Sequence, residues 1–147
     1  MTENSHQTAP HRRTRLDHST ETAEDYVEAI ANITASQEKC RVTDLARNFG
    51  VSHVTVNRIL ARLQSEGFVT TEPYRPVVLT TKGQRLARES SRRHDIVYRF
   101  LLSIGIDERT ASIDAEGIEH HVSRKTLERF EELAGPSTPT ESKSANR

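Results

Sequence analysis

The strongest constraint on the fold lies in residues 42–80. Leu45, Ala46, Val51, Val56, Ile59, Leu60 and Leu63 recur at spacings that suit two short helices crossing over a shared core, with Gly50 supplying the turn between them. Two β-rich runs follow at once, residues 68–72 and 77–80, on either side of Pro73-Tyr74-Arg75-Pro76. That arrangement predicts a hairpin with a proline-stiffened tip. Thr43 is the expected N-cap of the first helix and Ser52 that of the second, which should run to about Ser65 before Gly67. Helix, turn, helix and β-wing in this order define a winged helix-turn-helix, so the chain is expected to be mainly α with a two-stranded β-wing.

The flanking segments extend this plan. Tyr26, Val27, Ile30 and Ile33 form a buried stripe on a helix expected to begin at Thr20 and end near Ser36. Thr81 is the expected cap of a long helix reaching about Ile104, where Gly105 ends it. A further helix is expected over residues 107–121, and Ser123 should cap a last one ending at Ala134. The predicted organisation is a disordered arm at 1–19, a winged helix-turn-helix at 20–81, a helical domain at 82–134 and a disordered tail at 135–147. The arm holds His6, His11 and His18 beside Arg12, Arg13 and Arg15 and lacks apolar periodicity, while the tail is rich in Pro, Ser and Thr.

At 147 residues the chain suits one compact unit or two small ones. A single cysteine, Cys40, excludes an internal disulfide framework and any zinc site built from several thiolates. No apolar run approaches the roughly 20 residues of a membrane span, and residues 1–19 lack the apolar middle of a secretion signal. A soluble cytoplasmic protein is therefore expected, with no membrane partner.

A formal net charge of zero conceals two opposite halves. Across residues 39–64, Lys39, Arg41, Arg47, Arg58 and Arg62 face only Asp44. Such an excess binds phosphates and releases counterions. The N-terminal residues of the second helix in a helix-turn-helix reach base edges in the major groove. The candidate DNA contacts are Thr43, Ser52, His53, Thr55, Val56, Asn57, Arg58 and Arg62, with Arg75 at the wing tip. Asn57 suits adenine, and Thr55 or Val56 suits a thymine methyl, but the sequence leaves open which of them the helix phase turns outward.

Across residues 107–134 the balance reverses: Asp107, Glu108, Asp114, Glu116, Glu119, Glu128, Glu131 and Glu132 stand against four positive residues. Glu116, Glu119 and His120 fall at i, i+3 and i+4, on one side of a helix and apart from Ile113, Ile118 and Val122. Asp25 and Glu28 make another i, i+3 pair on the first helix, and His94 adds an imidazole from the long one. Four carboxylates and two imidazoles from three helices suit a hard divalent ion held mainly by oxygen. The same residues also suit solvated helix faces, and His94 a packing position beside Val97 and Leu101.

Four stretches together resemble the diphtheria toxin repressor family and, within it, the manganese transport regulators. They are Glu24-Asp25-Tyr26-Val27-Glu28, Val77-Val78-Leu79-Thr80-Thr81-Lys82-Gly83, Arg93-His94, and Asp114-Ala115-Glu116-Gly117-Ile118-Glu119-His120-His121. The likeness covers about residues 24–130. It implies a helical metal-binding and dimerisation domain after the winged helix, and Mn(2+) at a paired site, two ions per subunit, on Asp25, Glu28, His94, Glu116, Glu119 and His120. The iron-responsive branch has a methionine and a cysteine where this chain has Asp25 and Glu116, and hard oxygen at both places favours manganese. The chain is expected to differ from longer relatives in its longer arm and in lacking their SH3-like third domain.

The resemblance implies a repressor of manganese homeostasis genes, with Mn(II) as corepressor, double-stranded operator DNA and a second copy of the chain as partners, and no small organic substrate. Ile104, Ile106, Ile113, Leu127 and Phe130 are the apolar positions available either to a dimer interface or to the bundle core. Alternatives are an iron(II)-responsive repressor of the same family and a winged-helix regulator of a small organic ligand. Carboxylate density also invites a di-metal enzyme, but that reading leaves the helix-turn-helix unexplained, and no enzymatic activity is expected.

Overall fold

The computed structural model describes residues 8–136, with side chains from residue 18 onward. Six helices and one hairpin follow in the order α1 (Thr8–Gln37), α2 (Val42–Phe49), α3 (His53–Ser65), β1 (Val69–Thr70), β2 (Val78–Leu79), α4 (Thr81–Ser103), α5 (Glu108–Ile118) and α6 (Arg124–Ala134). The chain divides into two compact units that part between Arg92 and Arg93, inside α4. Sequence reasoning placed this division at 81/82, at the start of the helix.

The first unit is organised by α1. Ala23, Tyr26 and Ile30 lie buried against Leu45, Ala46, Val56, Leu60, Leu63, Val69 and Val77. Tyr26 stacks on Phe49 with ring centroids 4.3 Å apart. α1 begins at Thr8, twelve residues ahead of the expected Thr20, so residues 8–19 of the expected arm are helical. Nucleation is the costly step in helix formation, and a stripe already fixed by packing lets the polar turns before it propagate at little cost. Residues 1–7 of that arm, with His6, lie outside the described residues, as do residues 137–147 of the expected tail.

α2 and α3 cross as their spacing requires. Gly50 takes a left-handed φ of 64° to end α2, the conformation glycine adopts without Cβ strain. The cap of α2 is Arg41 rather than Thr43. The Asp44 carboxylate accepts from the Arg41 N–H at 2.8 Å, satisfying one of the amides left open at a helix start. This bond, followed by one from the Gln37 side chain, holds the Asp44 carboxyl below the usual carboxylate range. Ser52 caps α3 as expected, accepting from Thr55 N at 3.1 Å.

The wing is a short antiparallel pair with Val69 opposite Leu79 and Thr70 opposite Val78. A feature absent from the sequence reading extends it: Val77 N–H donates to the Cys40 carbonyl at 2.8 Å, so the link between α1 and α2 pairs with the wing root. Cys40 is a buried free cysteine, and burial, followed by the nearby Asp44 charge, pushes its thiol up to about 11.

The start of α4 is fastened to the wing by Thr80, not Thr81. The Thr80 hydroxyl donates to the Gly67 carbonyl at 2.6 Å and accepts from Gly83 N at 3.1 Å. Lys82 donates to the Glu66 carbonyl at 2.7 Å, with its ammonium 4.5 Å from the centre of the Phe68 ring. A Cβ on Gly83 would fall 2.1 Å from the Phe68 carbonyl oxygen, so only glycine permits this approach. These contacts hold the first turns of α4 in the first unit, which is why the units part at Arg92.

The second unit packs Ile96, Val97 and Leu101 of α4 on Ala111 and Ala115 of α5 and Leu127 of α6. Phe100 and Phe130 stack at 4.0 Å. α5 ends at Ile118, short of the expected His121, with Asp107 as its N-cap; α6 starts after Ser123 as expected. Among the described residues, no helix is long and apolar enough to cross a membrane.

Two outcomes are expected. Gly83→Ala should destabilise the protein by about 1–3 kcal/mol in urea unfolding, because the obstruction is backbone and cannot swing aside. The Asp44 carboxylate, with its lowered folded-state value, should contribute its full stabilisation above about pH 4 and lose it as pH falls through that value. Unfolding curves of the parent and Asp44→Ala should accordingly converge in acid.

Candidate metal centre and nucleic-acid interface

The burial of α3 supplies the phase that periodicity left open. Val56 is 0% exposed, with Leu60 and Leu63 on the same inward face, so Val56 is a core residue and cannot touch a base. This corrects its assignment as a DNA contact: at i, i+4 and i+7 the three side chains form the stripe that holds α3 in the unit. His53, Asn57 and Arg58 are exposed on the opposite face, as are Ser52 before the helix and Thr43 on α2. Thr55 is half-buried with its hydroxyl 3.0 Å from that of Ser52, within the cap.

Arg62 is also redirected. Its guanidinium donates to the Ser19 carbonyl at 3.1 Å and stands 3.5 Å from Glu66, so it ties α3 to α1 instead of reaching outward. Arg75 stands exposed at the wing tip, 3.2 Å from Glu72. A cleft of about 690 Å³ lies between the helices and the wing, with Arg41, Thr43, His53, Asn57 and Arg75 among its lining residues. Cationic and amide side chains around a groove can take a phosphate backbone along one side while the helix start faces the bases. Sequence reasoning missed Val54, 78% exposed in the first turn of α3. An apolar residue early in a recognition helix was a legible signal, but without the helix phase Val56 was chosen for the thymine-methyl contact in place of Val54.

In the second unit the acidic motif meets His94. The His94 Nδ1 atom lies 3.9 Å from Glu119 Oε1 and 4.0 Å from Glu116 Oε1. His120 Nε2 lies 3.6 Å from the same Glu119 oxygen. Glu119 is 1% exposed, the His120 side chain 2% and that of Glu116 68%. The helix ending at Ile118 does not undo the predicted cluster, because Glu119 keeps right-handed helical angles at the cap. Ionised carboxylates resist removal from water unless a charge or strong donors compensate, and two imidazoles stand beside this one.

These donors fit a divalent cation. His94 Nδ1 is buried and, among the described residues, makes no hydrogen bond. Separations of 3.6–4.0 Å exceed hydrogen-bond length yet lie within the reach of two bonds of about 2.1 Å to a shared ion. Asp25 and Glu28 belong to the first unit, both half-buried on α1, and Glu28 accepts from the Ser90 hydroxyl at 2.9 Å.

The comparisons with known proteins follow the same division. Residues 18–77 match the family described as iron dependent repressor, N-terminal DNA binding domain, and residues 80–142 its metal binding and dimerisation domain. The chain belongs to the iron-dependent repressor family. Within that family it is 45% identical over 119 residues to the transcriptional regulator MntR of Salmonella typhimurium, covering 81% of this chain and 76% of that protein. It is 34% identical over 114 residues to the HTH-type transcriptional regulator MntR of Bacillus subtilis, covering 78% and 80%. A solved manganese-dependent transcriptional repressor in complex with manganese superposes with a TM-score of 0.69 at 32% identity, covering 78% of this chain and 53% of that one. The structure of the manganese regulator SloR gives a TM-score of 0.65 at 28% identity, covering 76% and 52%. The chain thus spans about half the length of these solved structures. The resemblance to the manganese regulators of the diphtheria toxin repressor family is borne out.

Of the apolar residues weighed for pairing or packing, Leu127 is buried, and Ile106 and Phe130 pack against the second unit's core. Ile104 and Ile113 are 59% and 63% exposed. Ile118 and Leu133 join them at the surface.

The reassignment of α3 has a direct check. Val56→Ala should cost about 2 kcal/mol in denaturant unfolding, whereas Asn57→Ala should stay within about 0.5 kcal/mol of the parent.

Proposed function

We infer that this chain is a manganese-responsive transcriptional repressor that binds double-stranded operator DNA as a homodimer in the cytoplasm. The observation that carries the reading is the meeting of His94 with Glu116, Glu119 and His120 in a chain whose other unit presents an exposed, basic helix-turn-helix. In our reading Asp25, Glu28, His94, Glu116, Glu119 and His120 are the metal ligands, a set suited to two ions per subunit. All six donors are oxygen or nitrogen, and the absence of sulfur favours a hard ion over a soft one. Manganese then supplies positive charge that offsets the mutual repulsion of the carboxylates.

The division of labour follows from the residues. Arg58 and Arg75 contact phosphate, while His53 and Asn57 face base edges with Ser52 and Thr43 at the margin. Ile104, Ile113, Ile118 and Leu133 are the apolar side chains available to a second copy. Two half-sites one turn apart on DNA require paired recognition helices about 34 Å apart. In our reading manganese occupancy sets which spacing is populated. Raising the competent population from 1% to 99% takes about 5.5 kcal/mol of differential binding between the two states.

A gel-shift titration with Mn(II) tests this. Glu119→Ala and His120→Ala should lose manganese-dependent operator binding. Arg58→Ala should weaken binding at every manganese concentration and lower the salt slope by about one. Chelator that leaves the operator affinity of the parent protein unchanged would overturn the reading.

A further inference from the structure

The Ser90 hydroxyl is fully buried in the first unit and has a cross-helix partner. Its Oγ donates to Glu28 Oε2 at 2.9 Å, joining α4 to α1 across 62 positions of sequence. Serine inside a helix ordinarily turns its hydrogen back onto the carbonyl one turn earlier. Here that hydrogen goes to a carboxylate on another helix. We propose that Ser90 is a positioning residue that fixes the Glu28 carboxylate for metal binding, a role resting on the reading of Glu28 as a ligand.

The physical case is one of freedom removed in advance. A glutamate side chain rotates about three bonds, and ordering it costs conformational entropy wherever that cost falls. A hydrogen bond to Oε2 from a donor shut away from water sets the plane of the carboxylate before any ion arrives. It leaves Oε1, and the second lone pair of Oε2, as acceptors. The donor is neutral, so it orients the carboxylate without competing for its charge as a lysine or arginine would. Partners of this kind commonly change metal affinity by about 10- to 100-fold when removed. Ser90 also stands one turn of α4 before His94, so a single helix carries both the imidazole and the group that orders Glu28.

The test measures Mn(II) affinity directly, by calorimetry and by the electron paramagnetic resonance signal of free Mn(II), with no DNA present. Ser90→Ala should bind Mn(II) about 10- to 100-fold more weakly than the parent. In a Glu28→Gln background, the same change should cause no further loss, since Ser90 acts only through Glu28. Ser90→Thr and Ser90→Val have nearly the same volume and share any strain from the added methyl group, but only threonine keeps the hydroxyl. Ser90→Thr should bind Mn(II) more tightly than Ser90→Val by a similar factor. Equal affinity in parent and Ser90→Ala, an equal loss in the Glu28→Gln background, or equal affinity of the threonine and valine forms would each overturn the proposal. Parent-like binding by Glu28→Gln would instead overturn the ligand reading of Glu28 on which it rests.

Discussion

The approach of Gly83 to the Phe68 carbonyl is the contact on which the rest depends. It lets α4 leave the wing without a spacer, and Thr80 and Lys82 close the junction with bonds to Gly67 and Glu66. The helix that starts there has 23 residues and is about 35 Å long. α4 runs through the division of the chain unbroken, so the element that braces the wing also displays His94. A glycine chosen for what it lacks thereby fixes where the helix begins.

Charge is arranged with equal economy. The zero net charge arises because a basic reader and an acidic helical segment cancel, and each half works only through its local excess. On the acidic side the expense is concentrated at Glu119, whose carboxylate is nearly excluded from water between two imidazoles. On the basic side little is buried, and Arg62 is the exception, spent on holding α1 to α3.

Most of the architecture was legible because it rests on periodicity and caps. Ser52 and Ser123 cap helices that start where expected, the stripe of Tyr26 and Ile30 marks a helix that forms but begins twelve residues early, and the i, i+3, i+4 spacing of Glu116, Glu119 and His120 survives the early end of α5. What escaped depends on tertiary partners. Val56 has the chemistry of a thymine-methyl contact and the burial of a core residue, and only the crossing angle of α2 and α3 decides between them. Arg62 counts toward basic charge in any linear tally, yet its partner, the Ser19 carbonyl, lies 43 positions away. The pairing of Cys40 with Val77 uses backbone groups alone and leaves no trace in residue type. The carboxylates around His94 could be listed from sequence, but their separations and the exclusion of Glu119 from water could not.

The burial of Cys40 bears on the chemistry the protein ignores. Nucleophilic attack on peroxides and alkylating agents requires the thiolate. With the thiol pushed up to about 11, fewer than about one molecule in a thousand carries that form near neutrality. The buried residue is also held by the strand pairing that its own carbonyl makes with Val77. Oxidative stress therefore finds no handle here while the wing root stays shut, and the rate at which a thiol reagent consumes Cys40 becomes a clock for the opening of that one corner of the molecule.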